Sequence, residues 1–330
     1  MRTIRLNDDA AYPCGDDDTL LRAGLRAGFG FPYECNAGSC GTCKVELLSG
    51  EIESLRPDAP GLSEADAARR RVLACQAQPR GDCAIKVRLR PDNVPLHRPA
   101  RFEATLVGTR ELTHDMREFT FKASDGAPGF RAGQYALFYL PGLAIARTYS
   151  VSNVDEGRGE WQFIVRRVSG GVGTVTLFDR VPVGTRIALD GPYGNAFLRE
   201  QSSRDIVCIA GGSGLAPILS VTRGAVRLAP RRINVFLGLR TPQDVCGQEE
   251  LAALPGFGDT LHLQIAVSAP DASWSGPTGF IHERARDFIG ERWAEFDYYF
   301  AGPPPMVEAV QRMLIEKRVP FPQVHFDRFF

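Results

Sequence analysis

The sequence predicts a multidomain chain of mixed α+β and α/β class, in which a small α+β unit, an antiparallel β-barrel and a doubly wound parallel domain follow one another. Three observations carry this. The chain has 330 residues, more than one core needs at roughly 150 residues per domain. Pro91-Asp92-Asn93-Val94-Pro95 has the proline and polar content of a linker. Beyond it come short strands between Gly/Pro/Asp clusters up to about Leu198, and past Asp205 apolar strands alternate with helices, which means a parallel sheet with helices on its faces. The domains so bounded are 1–95, 96–200 and 201–330.

In the first unit, Arg2 to Leu6 alternate polar and apolar as a strand does, and Leu20, Leu21 and Leu25 are the apolar positions of a helix over Thr19 to Ala27. Lys44 to Leu48 and Glu51 to Glu53 flank Ser49-Gly50 as a hairpin, and Ser63-x-x-Asp66 resembles a capping box. Ala84 to Leu89 closes the unit as an alternating strand. The barrel strands are Phe102 to Val107, Arg117 to Lys122, Tyr135 to Leu140, Trp161 to Val168 and Thr185 to Leu189. The last unit opens with strand Ile206 to Ala210 and a helix to about Leu228, then strands Ile233 to Leu239, Leu261 to Val267 and Tyr298 to Ala301, the last before another helix.

Composition narrows the function. Lys+Arg and Asp+Glu number 39 each, a formal net charge of zero, so the cationic excess that nucleic-acid binding is built on is missing. The apolar stretch Ala136 to Ala146 is interrupted by Pro141 and Gly142 and falls short of the ~20 residues that span a bilayer. With no export signal at the start of the chain, the expected location is the cytoplasm.

Four of the eight cysteines form one patterned group: Cys35, Cys40 and Cys43 in C-x4-C-x2-C, with Cys75 downstream. Four soft thiolates at this spacing match a plant-type two-iron, two-sulfur cluster, whereas structural zinc is usually held by paired C-x2-C knuckles. Gly38 and Gly41 let the loop take left-handed turns that aim backbone N–H groups at sulfur. Cys14, Cys83, Cys208 and Cys246 lack such spacing and read as ordinary thiols.

Two further constellations suit nucleotide cofactors. In Arg147-Thr148-Tyr149-Ser150, residues two apart share a strand face, so Arg147 could grip a phosphate while Tyr149 stacks on a flat ring. Ser150 would then place a hydroxyl by that ring's reactive nitrogen, the one catalytic role these residues suggest. On its own the stretch reads equally well as a surface arginine beside a core tyrosine. It is strengthened by the turn Gly170-Gly171-Val172-Gly173-Thr174, since a helix starting there offers free N–H groups to a pyrophosphate. The second constellation is a buried strand running into Gly211-Gly212-Ser213-Gly214-Leu215-Ala216-Pro217, a dinucleotide site in plan, with proline suited to the first helical turn. Another strand end, Ala301-Gly302-Pro303-Pro304, opens at the same edge of that sheet.

In order, these motifs cover the whole chain and resemble the reductase components of bacterial multicomponent oxygenases, in which a β-grasp plant-type ferredoxin leads a ferredoxin-NADP-reductase-like module: an antiparallel flavin-binding barrel and a doubly wound nicotinamide-binding domain. Phe31-Pro32-Tyr33-Glu34-Cys35, Pro57-Asp58-Ala59-Pro60-Gly61-Leu62 and the tail His325-Phe326-Asp327-Arg328-Phe329-Phe330 most resemble the NADH reductase of toluene monooxygenases, and reductases of carbazole-type dioxygenases look similar there. The resemblance implies Cys35, Cys40, Cys43 and Cys75 as ligands of a 2Fe-2S cluster. It implies FAD on Arg147, Tyr149, Ser150, Gly171, Val172 and Thr174, and NADH on Gly211, Gly212, Ser213, Gly214, Pro217, Gly302 and Pro303. Ala301 stands where most such proteins have cysteine. The tail aromatics, Phe329 or Phe330, either cover the flavin or simply pack.

Electron arithmetic gives the expected activity. A nicotinamide gives up two electrons at once and the cluster takes one, so a flavin stands between them; the acceptor is a Rieske ferredoxin or an oxygenase component. The competing expectations are a reductase of similar architecture in deoxysugar synthesis and, outside enzymes, an iron-sulfur redox sensor. For the nicotinamide, Arg240-Thr241-Pro242-Gln243-Asp244 offers both signs of charge at the end of the second strand, and the resemblance tips the expectation to NADH.

Overall fold

The computed structural model describes residues 1–7, 9–228 and 231–329. The first unit contains β1 (Arg2–Leu6), β2 (Ala10–Cys14), α1 (Leu20–Arg26), β3 (Lys44–Ser49), β4 (Ile52–Ser54), α2 (Glu64–Ala68), β5 (Arg71–Leu73), β6 (Ala77–Pro79) and β7 (Cys83–Lys86). Its main sheet runs β2-β1-β7-β3-β5, with β1 and β7 parallel. Thr19 caps α1 and Ser63 and Asp66 form the expected capping box on α2.

Three expectations need correction. The hairpin over Lys44 to Glu53 does not form: both edges of β3 are taken, by β7 and β5, so β4 pairs with β6 instead. The strand expected over Ala84 to Leu89 is shorter, ending at Lys86. Pro91 to Asn93 form a 3-10 turn, not an open linker. Before that turn the Arg90 N–H donates to the Gly30 carbonyl at 2.7 Å, and within it Asn93 Nδ2 donates to the Phe31 carbonyl at 2.8 Å.

The middle unit contains β8 (Ala100–Glu111), β9 (Met116–Ala123), β10 (Tyr135–Tyr139), β11 (Arg147–Ser150), β12 (Glu160–Arg166), α3 (Val172–Arg180) and β13 (Arg186–Tyr193). Its antiparallel order is β11-β10-β13-β8-β9-β12, and a bridge between Val151 and Phe163 joins the two edges. Inward positions two apart, such as Phe119 with Phe121 and Trp161 with Phe163, fill the interior.

The last unit contains β14 (Asp205–Gly211), α4 (Leu215–Ala225), β15 (Ile233–Leu239), α5 (Gln248–Ala252), β16 (Leu261–Val267), α6 (Ile281–Ile289), β17 (Phe296–Gly302), α7 (Pro304–Glu316) and β18 (Val324–Arg328). The all-parallel order is β16-β15-β14-β17-β18. The central strand β14 is apolar from Ile206 to Ala210 because it is covered on both faces: Ile206, Cys208 and Ala210 pack with α4, while Val207 and Ile209 pack with α6 and α7. The α4 side also takes in Met116 and Ile164 of the barrel, which fixes the two domains against each other. Strand order reverses between β14 and β17, so the crevice for a ligand opens at their carboxyl ends.

Candidate functional site

Folding brings Cys35, Cys40, Cys43 and Cys75 together, although Cys75 lies far along the chain. The sulfurs of Cys35 and Cys40 interact, as do those of Cys43 and Cys75; within each pair one thiol is pushed up and its partner pulled down, Cys40 to about 5, chiefly by the hydrogen bond between them. Two such pairs, near enough for Cys35 to feel Cys75 and Cys43 to feel Cys40, are a donor set for a cation, and the loop supplies what an anionic cluster requires. Backbone N–H groups of Ala37 and Cys40 point at Cys35 Sγ, each at 3.4 Å, that of Thr42 at Cys40 Sγ at 3.5 Å, and Gln76 Nε2 at Cys75 Sγ at 3.3 Å. Gly38 and Gly41 adopt φ of 82° and 74°, the left-handed turns that give the loop this inward aim.

One cleft of about 1250 Å³ runs from this loop, where Cys35, Ala37 and Ser39 line it, between the barrel and the last unit. Arg147, Tyr149 and Ser150 of β11 line its barrel wall, as do Gly171, Val172 and Thr174 at the start of α3. Gly171 is the helix's N-cap, and the Gly173 Cα approaches Arg147 so closely that a Cβ would lie 2.8 Å from its side chain. A guanidinium thus stands beside the helix's unsatisfied N–H groups, a combination suited to a pyrophosphate. Tyr149 packs edge-on against Phe138 with centroids 4.8 Å apart, and burial pushes its hydroxyl up to about 12. The cleft is large enough for a dinucleotide flavin and lined for one.

Gly211, Gly212, Ser213 and Pro303 line the far part of the same cleft. Gly214 and Pro217, expected beside a nicotinamide dinucleotide, do not line it. A Cβ on Gly214 would lie 2.0 Å from the Ala301 carbonyl, so this glycine serves the packing of α4 on β17, and Pro217 faces a separate small cavity with Ala301, Tyr299 and His325. Gly302 is likewise off the cleft wall; its carbonyl accepts from the Phe329 N–H at 3.0 Å, and Phe329 does line the cleft. Phe330 lies outside the described residues.

Sequence reasoning missed the seam where the three units meet. Tyr135 lines the cleft, and its hydroxyl donates to the Glu34 carbonyl at 2.6 Å, one residue before Cys35. Asp327 and Arg328 of β18 reach the same place, with Arg328 Nε 3.7 Å from Glu34 Oε1. Burial, then the neighbouring Glu34, lifts the Asp327 carboxyl to about 7. Glu34 and the tail stood beside conspicuous motifs, but nothing local said that they would meet. At the other end, Asp244 is buried under a cap to Thr241 and also accepts from Arg166, itself bonded to Asp115. With His114 these carboxylates form a further group that could hold a metal ion, and the Arg166 cation already occupies it.

Three domain families match in the same order: a 2Fe-2S iron-sulfur cluster binding domain over residues 4–80, an oxidoreductase FAD-binding domain over 103–197 and an oxidoreductase NAD-binding domain over 208–312. The chain is 39% identical to a ferredoxin–NAD(P)(+) reductase of Metapseudomonas resinovorans, covering 100% of both chains. It is 38% identical to the ferredoxin–NAD(+) reductase component of an alkene monooxygenase system of Xanthobacter autotrophicus, covering 99% of this chain and 100% of that one. The solved ferredoxin reductase in carbazole 1,9a-dioxygenase superposes with a TM-score of 0.93 at 38% identity, over 100% of this chain and 98% of that one.

Proposed function

The chain belongs to the family of ferredoxin–NAD(P) reductases that serve oxygenase systems, and on that premise we propose that it oxidises NADH at the far end of the cleft and delivers single electrons at the Cys35–Cys75 loop to a Rieske ferredoxin or oxygenase component. It is an oxidoreductase with 2Fe-2S, FAD and NAD domains. A flavin bound in the cleft would supply the chemistry that links a two-electron donor to the one-electron steps that a two-iron cluster accepts.

The single observation that carries the reading is continuity: one cleft joins the dinucleotide turn, the β11 wall and Cys35. We assign Arg147 and the α3 N-terminus to the FAD pyrophosphate, Tyr149 to the flavin ring and Ser150 to a hydroxyl beside its reactive edge. Tyr135 holds the cluster loop against the cleft, and Phe329 closes the side left by β18. Gly211, Gly212, Ser213 and Pro303 are assigned to the nicotinamide dinucleotide. The eight cysteines are all unpaired by disulfides, which fits a reducing compartment and a cytoplasmic site of action; cell fractionation tests that point.

Anaerobically purified protein should hold about two irons per chain, release FAD on acid treatment and oxidise NADH with an artificial acceptor. Stoichiometric zinc in place of iron, or a bound nicotinamide that is never oxidised, would overturn the reading. Recovery of an oxygenase-system component on the immobilised protein tests the acceptor; recovery of a partner from deoxysugar synthesis would redirect it.

A further inference from the structure

The contact between the first unit and the barrel holds three arginines and three aspartates. Arg26 pairs with Asp190 at 2.7 Å and Asp18 at 3.2 Å, and Arg101 pairs with Asp17. Arg22 is the exception. It is 4% exposed, the most buried of the three, yet no ion pair engages it among the described residues. Its Nε donates to Asn36 Oδ1 and its Nη1 to the Tyr139 hydroxyl, both at 3.3 Å and both neutral partners.

A guanidinium cannot shed its proton; on the barrel side the Asp190 and Asp18 carboxylates favour its charge from a distance, and on the other side its direct partner is Asn36 of the cysteine loop. Asn36 directly follows Cys35, and the residue next to Arg22 ties α1 to the other side of the loop: the Leu21 N–H donates to the Ala74 carbonyl at 2.9 Å, one residue before Cys75. Arg22 is thereby fixed behind the thiol cluster from both sides. The guanidinium lies close enough to Cys75 for its charge to act on that sulfur.

We propose that the iron-sulfur cluster adds to Asp190 and Asp18 as a counter-ion of Arg22, and that this buried guanidinium acts as a positioning residue that holds the cluster's reduction potential up. The inference rests on the cluster assignment above. A two-iron cluster on four thiolates is anionic in both states and gains one more negative charge on reduction, so a fixed buried cation favours the reduced form. The Arg22–Tyr139 bond passes the same residue's position to the barrel, so the charge stays put when the domains are in contact.

The test is the midpoint potential of the cluster, followed by EPR during reductive titration of the full-length protein, in wild type, R22Q and R22K. Iron content and the EPR signal of the wild type check the cluster assignment separately. Loss of the charge in R22Q should disfavour the reduced cluster about tenfold, a fall of about 59 mV for a one-electron couple, while R22K, which keeps the charge, should stay near wild type. If R22Q fails to retain iron but R22K retains it, the counter-ion role is also supported. Equal shifts in both variants, no shift in either, or loss of iron from both would overturn the proposal in favour of a packing role.

Discussion

Arg26 of α1 reaches out of the first unit and closes a 2.7 Å ion pair with Asp190 of β13, a barrel residue with no solvent exposure. Tyr193 donates to the same carboxylate at 2.8 Å. The ferredoxin core continues through this contact into Tyr135, Leu137 and Tyr193 of the barrel, so the cluster domain is seated by apolar burial and held in register by charge.

Asp190→Asn should therefore loosen the seat without touching a cofactor. The expected loss is about 3 kcal/mol, the low end for a broken buried pair because Arg26 keeps Asp18. Thermal melting should show it. Stopped-flow should find flavin reduction by NADH unchanged and cluster reduction slowed; unchanged cluster reduction would refute the role of this contact.

Arg147→Ala should weaken FAD retention. A hydrogen bond to a charged group contributes about 1.5–3 kcal/mol, so roughly ten- to hundredfold weaker binding is expected in a flavin-release titration. Full flavin content after dilution and gel filtration would count against the assigned phosphate contact.

The domain boundary at residue 95 is testable by division. Residues 1–95 should fold alone and hold the cluster, and 96–330 should retain FAD and reduce ferricyanide with NADH. The flavin fragment will expose Leu137 and Tyr193, so it should be more prone to aggregate. A folded fragment that cannot oxidise NADH would move the boundary.

NADH should be preferred over NADPH in kcat/KM at one ionic strength. Arg240 is exposed on the cleft wall, where Ser268 and the acidic Asp244 also stand, and one arginine at that strand end is too little for a 2′-phosphate pocket. Arg240→Ala should change the NADH value less than threefold. A wild-type preference for NADPH would show that Arg240 binds the 2′-phosphate.

Asp327→Asn tests the seam. Because burial raises this carboxyl to about 7, the folded chain keeps a proton that the unfolded chain has released, and stability is fully present below the ordinary carboxylate range and lost as pH rises through about 7. The variant removes that loss, worth at most about 4 kcal/mol. Its Tm should exceed wild type at pH 8, with the gap closing toward pH 5; parallel curves would show that Asp327 titrates normally.

The parts of this molecule that were legible in the sequence are those where chemistry is local. C-x4-C-x2-C with Cys75, the glycine turn before α3 and the strand before Gly211 each state their purpose within a few residues. Gly214 shows the limit: a turn glycine needed for backbone approach to Ala301 and one needed for approach to a ligand look the same. The failed hairpin at Ser49-Gly50 has a similar cause, since which strand claims the edge of β3 is decided by β7 and β5, whose pairing no local pattern encodes. Glu34, Tyr135 and Asp327 come from three different units, and only their assembly makes a site.

The seating of the ferredoxin unit also governs traffic. Because Arg26 and Tyr135 pin it to the barrel on two sides, one flank of the cluster loop, with Cys35 and Ser39, looks into the cleft, while Thr42 faces bulk solvent. An outside protein has that second flank open to it, an approach that leaves the nicotinamide mouth clear. Donor and acceptor could then occupy the enzyme at once, and turnover would run as a relay with separate entrance and exit, with no domain having to swing between them.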